Sequence, residues 1–255
     1  MSWKARYPRV YRFLAKCRFA SAREKIIDLP FKARMRVNPY SFSERLIENG
    51  DFEKWRVEFF QSTISSRSVF FDIGANVGFF SLLAAKQGAT VHAFEPEPLN
   101  LSRLQGNLQL NPDLAPKIKI WPVALGDKAG EVDFGRPLSD NYGHSSLLLD
   151  EGFDRIRVRM ERFADLDFGS FDERFFKIDV EGAEQLVLEG FGEAWDSPAT
   201  TVFLVEVHRQ YGADLDAIVK IFASRGFRLS FMDESHGGET EFVPDGGDVA
   251  LLARK

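Results

Sequence analysis

Two sets of residues in this 255-residue chain have types and spacings suited to chemistry. The first is Asp72, Gly74, Asn76 and Gly78 in VFFDIGANVGFF, followed by Glu95 in HAFEP. Val69 to Ile73 reads as a short buried strand, Gly74 to Gly78 as a turn, and the apolar run to about Lys86 as a helix. Strand, glycine turn and helix together bring backbone close to a ligand. Gly74 and Gly78 lack a Cβ, so the chain can turn sharply and a ligand can approach the main chain. The middle position is Asn76 and the glycines are four apart, so this is not the G-x-G-x-x-G of a dinucleotide site. Asp72, just before the turn, would repel a pyrophosphate but suits a cationic amino group. Glu95 follows about twenty residues later, where a carboxylate accepts hydrogen bonds from ribose hydroxyls. The second set is Asp179 and Glu181 in FFKIDVEGAE and Glu206 and His208 in FLVEVH. Each pair is spaced by two, which at a strand end points both side chains the same way. Four ionisable groups would then face one crevice, a pattern typical of functional sites.

The elements that must position these residues follow from hydrophobic periodicity. Trp3, Tyr7, Val10, Tyr11, Leu14 and Cys17 fall at helical spacing, predicting a basic amphipathic helix within residues 3–25. Phe31 to Val37 alternates as a strand, and Ser41 to Phe60 reads as helix broken near Asn49-Gly50. Thr90 to Phe94 is a second strand, closed by Glu95-Pro96, and Glu97 to Leu110 a helix. Ile118 to Ala124 is a third strand, and Pro122 within it implies an edge or a strand end. Glu131 to Phe134 and Ile156 to Met160 are short strands, with a polar loop from Ser139 to Ser146 over the pocket mouth. Phe175 to Val180 and Thr201 to Val207 are buried strands, each followed by a helix. Phe227 to Met232 and Asp248 to Ala253 close the fold as strands around a glycine-rich loop. The expected class is α/β. It has a Rossmann-like, mostly parallel sheet with an antiparallel strand near one edge and helices on both faces. Residues 1–60 would form a basic helical and strand extension, and residues 61–255 the cofactor-binding domain.

Composition narrows the setting. A single cysteine, Cys17, excludes an intramolecular disulfide and fits a reducing compartment. No run reaches membrane-spanning length, and the N-terminus lacks the apolar core of a secretory signal. The expected location is therefore the cytoplasm. Residues 1–40 hold eleven Lys or Arg against two Asp or Glu, a balance of +9, so the rest carries −14 of the net −5. An acidic body is a poor nucleic-acid surface. The basic helix has two readings: packing on the domain or on a second subunit as a homo-oligomer, or lying on the inner face of an anionic membrane. The 25 phenylalanines cluster in strand-like runs and are read as core.

D-x-G-x-x-x-G is the form seen in class I S-adenosylmethionine methyltransferases, and the wider pattern is similar to one family of these, the FkbM methyltransferases. The resemblance rests on FFDIGANVGFFSL, HAFEPEPLNLSRLQGNLQLN, VALGDKAG, FKIDVEGAEQLVLEG and FLVEVH, with a weaker upstream IENGDFEKW. KIDVEGAE is the most specific of these. The basic N-terminal helix has no counterpart in the pattern. The resemblance implies a class I fold, S-adenosylmethionine as methyl donor, and methylation of a hydroxyl on a glycan, lipid or secondary-metabolite acceptor. It implies that Gly74 and Gly78 line the methionine part of the donor, with Asp72 near its amino group and Asn76 near its carboxylate. Glu95 would hold the ribose, and Ala124, Leu125 and Asp127 would flank the adenine. Asp179 would serve the donor's amino group or the acceptor.

For the acceptor side two routes stay open. His208 is the candidate base, because imidazole titrates near neutrality. Alternatively a divalent ion, Mg²⁺ or Mn²⁺, held by Asp179, Glu181 or Glu206 would lower the hydroxyl pKa. His144, Ser145 and Ser146 are read as loop residues and His92 as structural. The competing function is a module that binds S-adenosylmethionine without transferring its methyl group. A nicotinamide oxidoreductase is disfavoured by Asn76 and the glycine interval.

Overall fold

The computed structural model describes residues 24–137, 153–233, 238–244 and 247–255. It opens with a hairpin of β1 (Lys25–Asp28) and β2 (Arg34–Val37). Two helices follow, α1 (Phe42–Asn49) and α2 (Lys54–Thr63). Ser41 caps α1, accepting from the Glu44 backbone N–H, and left-handed Gly50 ends it, which produces the break at Asn49-Gly50. The body continues with β3 (Ser68–Ile73), α3 (Phe79–Lys86), β4 (Thr90–Phe94) and α4 (Pro98–Gln109). Next come β5 (Ile118–Trp121), β6 (Ala124–Leu125), β7 (Gly130–Pro137) and β8 (Phe153–Glu161). The last part is β9 (Glu173–Ile178), α5 (Glu184–Glu189), β10 (Thr200–Val207), α6 (Leu215–Ala223), β11 (Arg228–Asp233), β12 (Gly238–Thr240) and β13 (Val249–Arg254).

The main sheet has eight strands in the order β12-β11-β13-β10-β9-β3-β4-β5. The five from β10 to β5 pair in parallel, and β13 runs antiparallel between β10 and β11. Helices and apolar clusters cover both faces, as expected from the continuous apolar runs of the inner strands. Strand order reverses beside β3: the chain runs β3-β4-β5 to one side and returns through β9 and β10 on the other. Ligands bind at the carboxyl ends of strands at such a switch point.

Three expectations are corrected. The N-terminal helix does not extend to residue 25, because Lys25 already pairs with Val37 in the hairpin; residues 1–23 lie outside the described residues. The strand expected from Phe31 starts at Arg34, since Pro30 to Lys32 form the hairpin turn. The strand Ile118 to Ala124 is split at Pro122: Ile118–Trp121 is the sheet edge, and Ala124–Leu125 joins a separate three-stranded sheet with β8 and β7. Proline has no N–H to give the ladder, so the chain leaves the sheet there. The polar segment from Ser139 to Ser146, with His144 and Ser145, lies outside the described residues.

The hairpin is fastened to the body by side-chain amides. Asn107 Oδ1 accepts from the Arg36 N–H at 2.9 Å, and Asn111 Oδ1 from the Arg34 N–H at 2.8 Å. Met35, Phe60 and Phe70 share one apolar cluster, so the hairpin, α2 and the central strand pack as one layer. Among the described residues no helix is long and apolar enough to cross a membrane.

Candidate active site

Two cavities meet at the switch point. The first is lined by Gly74, Asn76, Phe94, Glu95, Val123, Ala124, Leu125, Phe134, Asp179 and Glu181, among others. Its polar anchor is Glu95, which accepts from the Asn76 N–H at 2.8 Å and the Glu97 N–H at 2.9 Å. Burial pushes the Glu95 carboxyl up to about 7, against the pull of those two bonds. Each carboxylate oxygen keeps lone-pair capacity for a diol. The apolar residues Phe94, Val123 and Leu125 form a slot beside it suited to a flat base. Gly74 has φ +83°, and a Cβ there would lie 1.9 Å from the Asp179 carbonyl oxygen. This cradle fits an adenosine-containing methyl donor.

The second cavity, about 290 Å³, shares Gly74, Asn76, Asp179 and Glu181 with the first. Phe42, Leu46, Ile47, Phe52 and Phe79 give it one apolar wall, while Glu53, Lys177, Glu206 and His208 are polar. His208 is 4% exposed and stands at the centre of the polar side. Its Nδ1 lies 2.8 Å from Oε1 of Glu184, a carboxylate with no exposed surface. Its Nε2 lies 3.6 Å from Glu181, 3.7 Å from Asp179 Oδ1 and 4.0 Å from Glu206 Oε1. The other oxygen of each of two carboxylates is taken by a cation. Lys177 Nζ is 3.1 Å from Asp179 Oδ2, and Arg56 Nη1 is 2.6 Å from Glu206 Oε2. One oxygen of Asp179 and one of Glu206 are thus left facing the imidazole.

The electrostatics follow from this arrangement. Burial works to lower the His208 pKa, but the Glu184 hydrogen bond and the charges of Asp179, Glu181 and Glu206 outweigh it and raise it to about 10. Burial opposes ionisation of Asp179, but Lys177, His208 and Arg56 overcome that and bring it to about 2. Burial raises Glu53 to about 7, with Arg56 opposing and Glu206 and Asp179 adding to the rise. Four carboxylates around one imidazole thus favour its protonated form, against the expectation that His208 titrates near neutrality.

Asp72 is 1% exposed and sits off both cavity walls, behind Lys177, whose ammonium is 3.6 Å away; it accepts from the Ser81 hydroxyl at 2.6 Å. Its expected place beside the donor's amino group is thus indirect, because the strand points this side chain under α3. Gly78 is the left-handed residue before α3, packed on Leu104. Asp127 is exposed and does not line the cavity. Three ligand atoms within 4.8 Å of one another belong to Asp179, Glu206 and His208, and Glu181 lies 3.6 Å from His208 Nε2. β9 ends at Ile178 and Glu181 has φ +54°, so a left-handed turn rather than strand alternation aims that side chain. His92 is in the core, stacked on Phe71 and accepting from the Trp121 indole at 3.0 Å.

Sequence reasoning missed Lys177, Glu184, Arg56 and Glu53. For Lys177 the signal was present: a lysine in the apolar run FFKID, two before Asp179 and on its side of the strand. Glu184 opens α5 in a sequence that reads as ordinary amphipathic helix.

A family model described as the methyltransferase FkbM domain matches residues 72–229, more than half of the chain. The chain is 30% identical over 196 residues to 31-O-demethyl-FK506 methyltransferase FkbM of Streptomyces tacrolimicus, covering 63% of this chain and 73% of that one. It is 26% identical over 182 residues to Methyltransferase 1 of Beauveria bassiana, covering 62% and 72%. The solved structure of methyltransferase FkbM from Methylobacillus flagellatus KT matches with a TM-score of 0.50 at 18% identity, over 98% of this chain and 59% of that one. This chain thus spans about three-fifths of the length of that protein, and the likeness speaks for the fold.

Proposed function

The chain belongs to the FkbM family of S-adenosylmethionine-dependent methyltransferases, and from that premise we propose that it methylates a hydroxyl oxygen of a small-molecule acceptor, of glycan, lipid or secondary-metabolite type. The observation that carries this reading is the junction of the two cavities. Gly74, Asn76, Asp179 and Glu181 line both, so a donor in the first and an acceptor in the second would meet there. The Streptomyces relative is named as a methyltransferase of a 31-O-demethyl compound, which supports oxygen as the acceptor atom.

When bound, S-adenosylmethionine supplies an electrophilic methyl group on a sulfonium. The chain's own residues then have two tasks, holding the acceptor in line and managing its proton. Glu95 would accept from the ribose diol. Lys177 fixes Asp179 at the junction, and Glu184 fixes the His208 ring so that Nε2 faces the acceptor side. With its proton in place His208 is a hydrogen-bond donor; with Nδ1 on Glu184, only the neutral ring could take an acceptor's proton, at Nε2, and an ion bound at Nε2 would make the ring a ligand and not a base.

The second route places Mg²⁺ or Mn²⁺ on Asp179, Glu206 and His208, whose ligand atoms lie within 4.8 Å of one another. The two carboxylate oxygens suit these ions, the imidazole is a ligand more usual for zinc or iron, and Glu184 on the far ring nitrogen is the carboxylate partner that metal-bound histidines commonly have. Such an ion would lower the pKa of an acceptor hydroxyl. The test is transfer of labelled methyl from S-adenosylmethionine into glycan, lipid and small-molecule fractions of the source cell, with and without EDTA. Label on oxygen supports the reading, and label on nitrogen or carbon refutes it. Loss with EDTA, restored by Mg²⁺ or Mn²⁺, selects the ion. Turnover indifferent to EDTA leaves His208 to act without one.

A further inference from the structure

We infer that Glu53 is an acceptor-binding residue. With Glu206 it forms a carboxylate pair across Arg56 that takes hydrogen bonds from a hydroxyl or ammonium beside the reacting group, and it excludes acceptors carrying phosphate or carboxylate there. This rests on the methyl-transfer reading above and names the acceptor chemistry of the same crevice.

Four observations support it. Glu53 lines the acceptor cavity on the wall contributed by the N-terminal helices, away from the strand-end carboxylates. Its backbone is left-handed, φ +41° and ψ +47°, an uncommon conformation for a residue with a long side chain. It is the N-cap residue just before α2, where Ser, Thr, Asp or Asn would cap the helix, yet its side chain makes no capping bond. The side chain is used elsewhere: one oxygen lies 2.7 Å from Arg56 Nη1, the same nitrogen that holds Glu206 Oε2 at 2.6 Å. Arg56 therefore fixes one oxygen of each carboxylate. The remaining oxygen of Glu53 has no protein partner among the described residues, and both side chains are 21% exposed.

Ionised, as Glu53 is at pH 8, above the value of about 7 to which burial raises it, a carboxylate accepts and cannot donate. The group that meets this pair must bring a proton, as a hydroxyl or an ammonium does. Lys177, Arg56 and His208 do not make the crevice attractive to an anion, because each is already engaged by carboxylates: Asp72 and Asp179, Glu53 and Glu206, and Glu184. The apolar wall of Phe52 and Phe79 faces the same space, suiting an acceptor with one hydrocarbon face and one edge rich in donors.

The test uses the full chain loaded with S-adenosylhomocysteine and two probes: tris(hydroxymethyl)aminomethane, which carries hydroxyls and an ammonium, and inorganic phosphate. Backbone amide resonances are followed by NMR during each titration. The expected result is saturable binding of the first probe, with shifts at residues 53–56 and 206–208, and none for phosphate. Glu53→Gln should raise the half-saturating concentration at least tenfold, and Glu53→Asp should hold it within about threefold, with S-adenosylhomocysteine affinity and melting temperature near wild type in both. Phosphate binding at these residues, or a Glu53→Gln protein that binds the first probe as wild type does, overturns the inference. A Glu53→Gln protein that melts early and loses the cofactor product shows a structural role and also overturns it. The titration needs no turnover, so a protein that methylates nitrogen or carbon would fail the reading above and still report on Glu53.

Discussion

Replacing Gly74 by alanine tests the claim that the cofactor turn is held by contact between main chains. Two costs can be separated. The first is conformational, because φ is +83° and alanine disfavours the left-handed region. That cost is about 1 kcal/mol, at the low end for a residue with a Cβ. The second is steric. The new Cβ would lie 1.9 Å from the Asp179 carbonyl oxygen and 2.9 Å from its carbon, both backbone atoms with no rotamer to relieve them. Clearing them requires the ends of β3 and β9 to part by more than an ångström. That breaks the bond from the Asp179 N–H to the Ile73 carbonyl, 3.0 Å long. A lost hydrogen bond costs about 1 kcal/mol, and residual strain adds a similar amount, for a total of about 3 kcal/mol. In a domain of this size that lowers the melting temperature by about 6 to 12 °C. Gly50→Ala is the control: φ is +73° and nothing lies within 4 Å of the added Cβ, so it reports the conformational cost alone. The assay is denaturant unfolding of wild type and both variants, with calorimetric titration of S-adenosylhomocysteine. Gly74→Ala should be about 2 kcal/mol less stable than Gly50→Ala and lose cofactor affinity by a hundredfold or more. Equal stability of the two variants, or wild-type affinity in Gly74→Ala, would refute the reasoning.

Other outcomes follow from the same geometry. Glu95→Ala should weaken S-adenosylhomocysteine binding by about 1 to 3 kcal/mol, the usual loss for a charged hydrogen-bond partner; unchanged affinity would remove Glu95 from the site. Asp72→Ala should weaken it too, by freeing Lys177, and should also lower stability, because it leaves that buried ammonium short of one of its two carboxylates. His208→Ala should cut turnover by about a hundredfold or more while cofactor affinity holds, read by labelled methyl transfer alongside calorimetry. His92 is lowered to about 4 by burial, with Lys119 adding to the shift, so the unfolded chain binds the extra proton first. Its contribution is complete above pH 6.5 and lost as pH falls toward 4. Glu53 and Glu95, both raised to about 7, act in the opposite sense between pH 7 and 4.5. The His92 part is therefore read as the difference in unfolding between wild type and His92→Phe, and a difference that does not change with pH would show the assignment wrong.

Much of this protein was legible in its sequence because the signals are local. The run VFFDI followed by glycines four apart marks a strand and turn whatever surrounds it. Thr90–Phe94 has the bounds its alternation and Glu95-Pro96 imply, and Pro122 divides its strand as a residue without an N–H must. Glu95 was found by counting, since the distance from the turn to the next strand end is set by one helix and one loop. Tertiary structure alone decided the chemistry of the second cavity. Spacing by two paired His208 with Glu206 at one strand end and set both in a crevice with Asp179, but it did not show Glu184 behind the ring or the distances to its far nitrogen, and those neighbours raise its pKa to about 10. Arg56 and Glu206 are 150 residues apart, and Glu53 enters the site only through the packing of α2 on the central sheet. The physical reason is range. Backbone propensity and side-chain alternation act over a few residues and can be read in order. Burial, ion pairing and the resulting protonation depend on which distant segments meet, and only the folded chain brings those together.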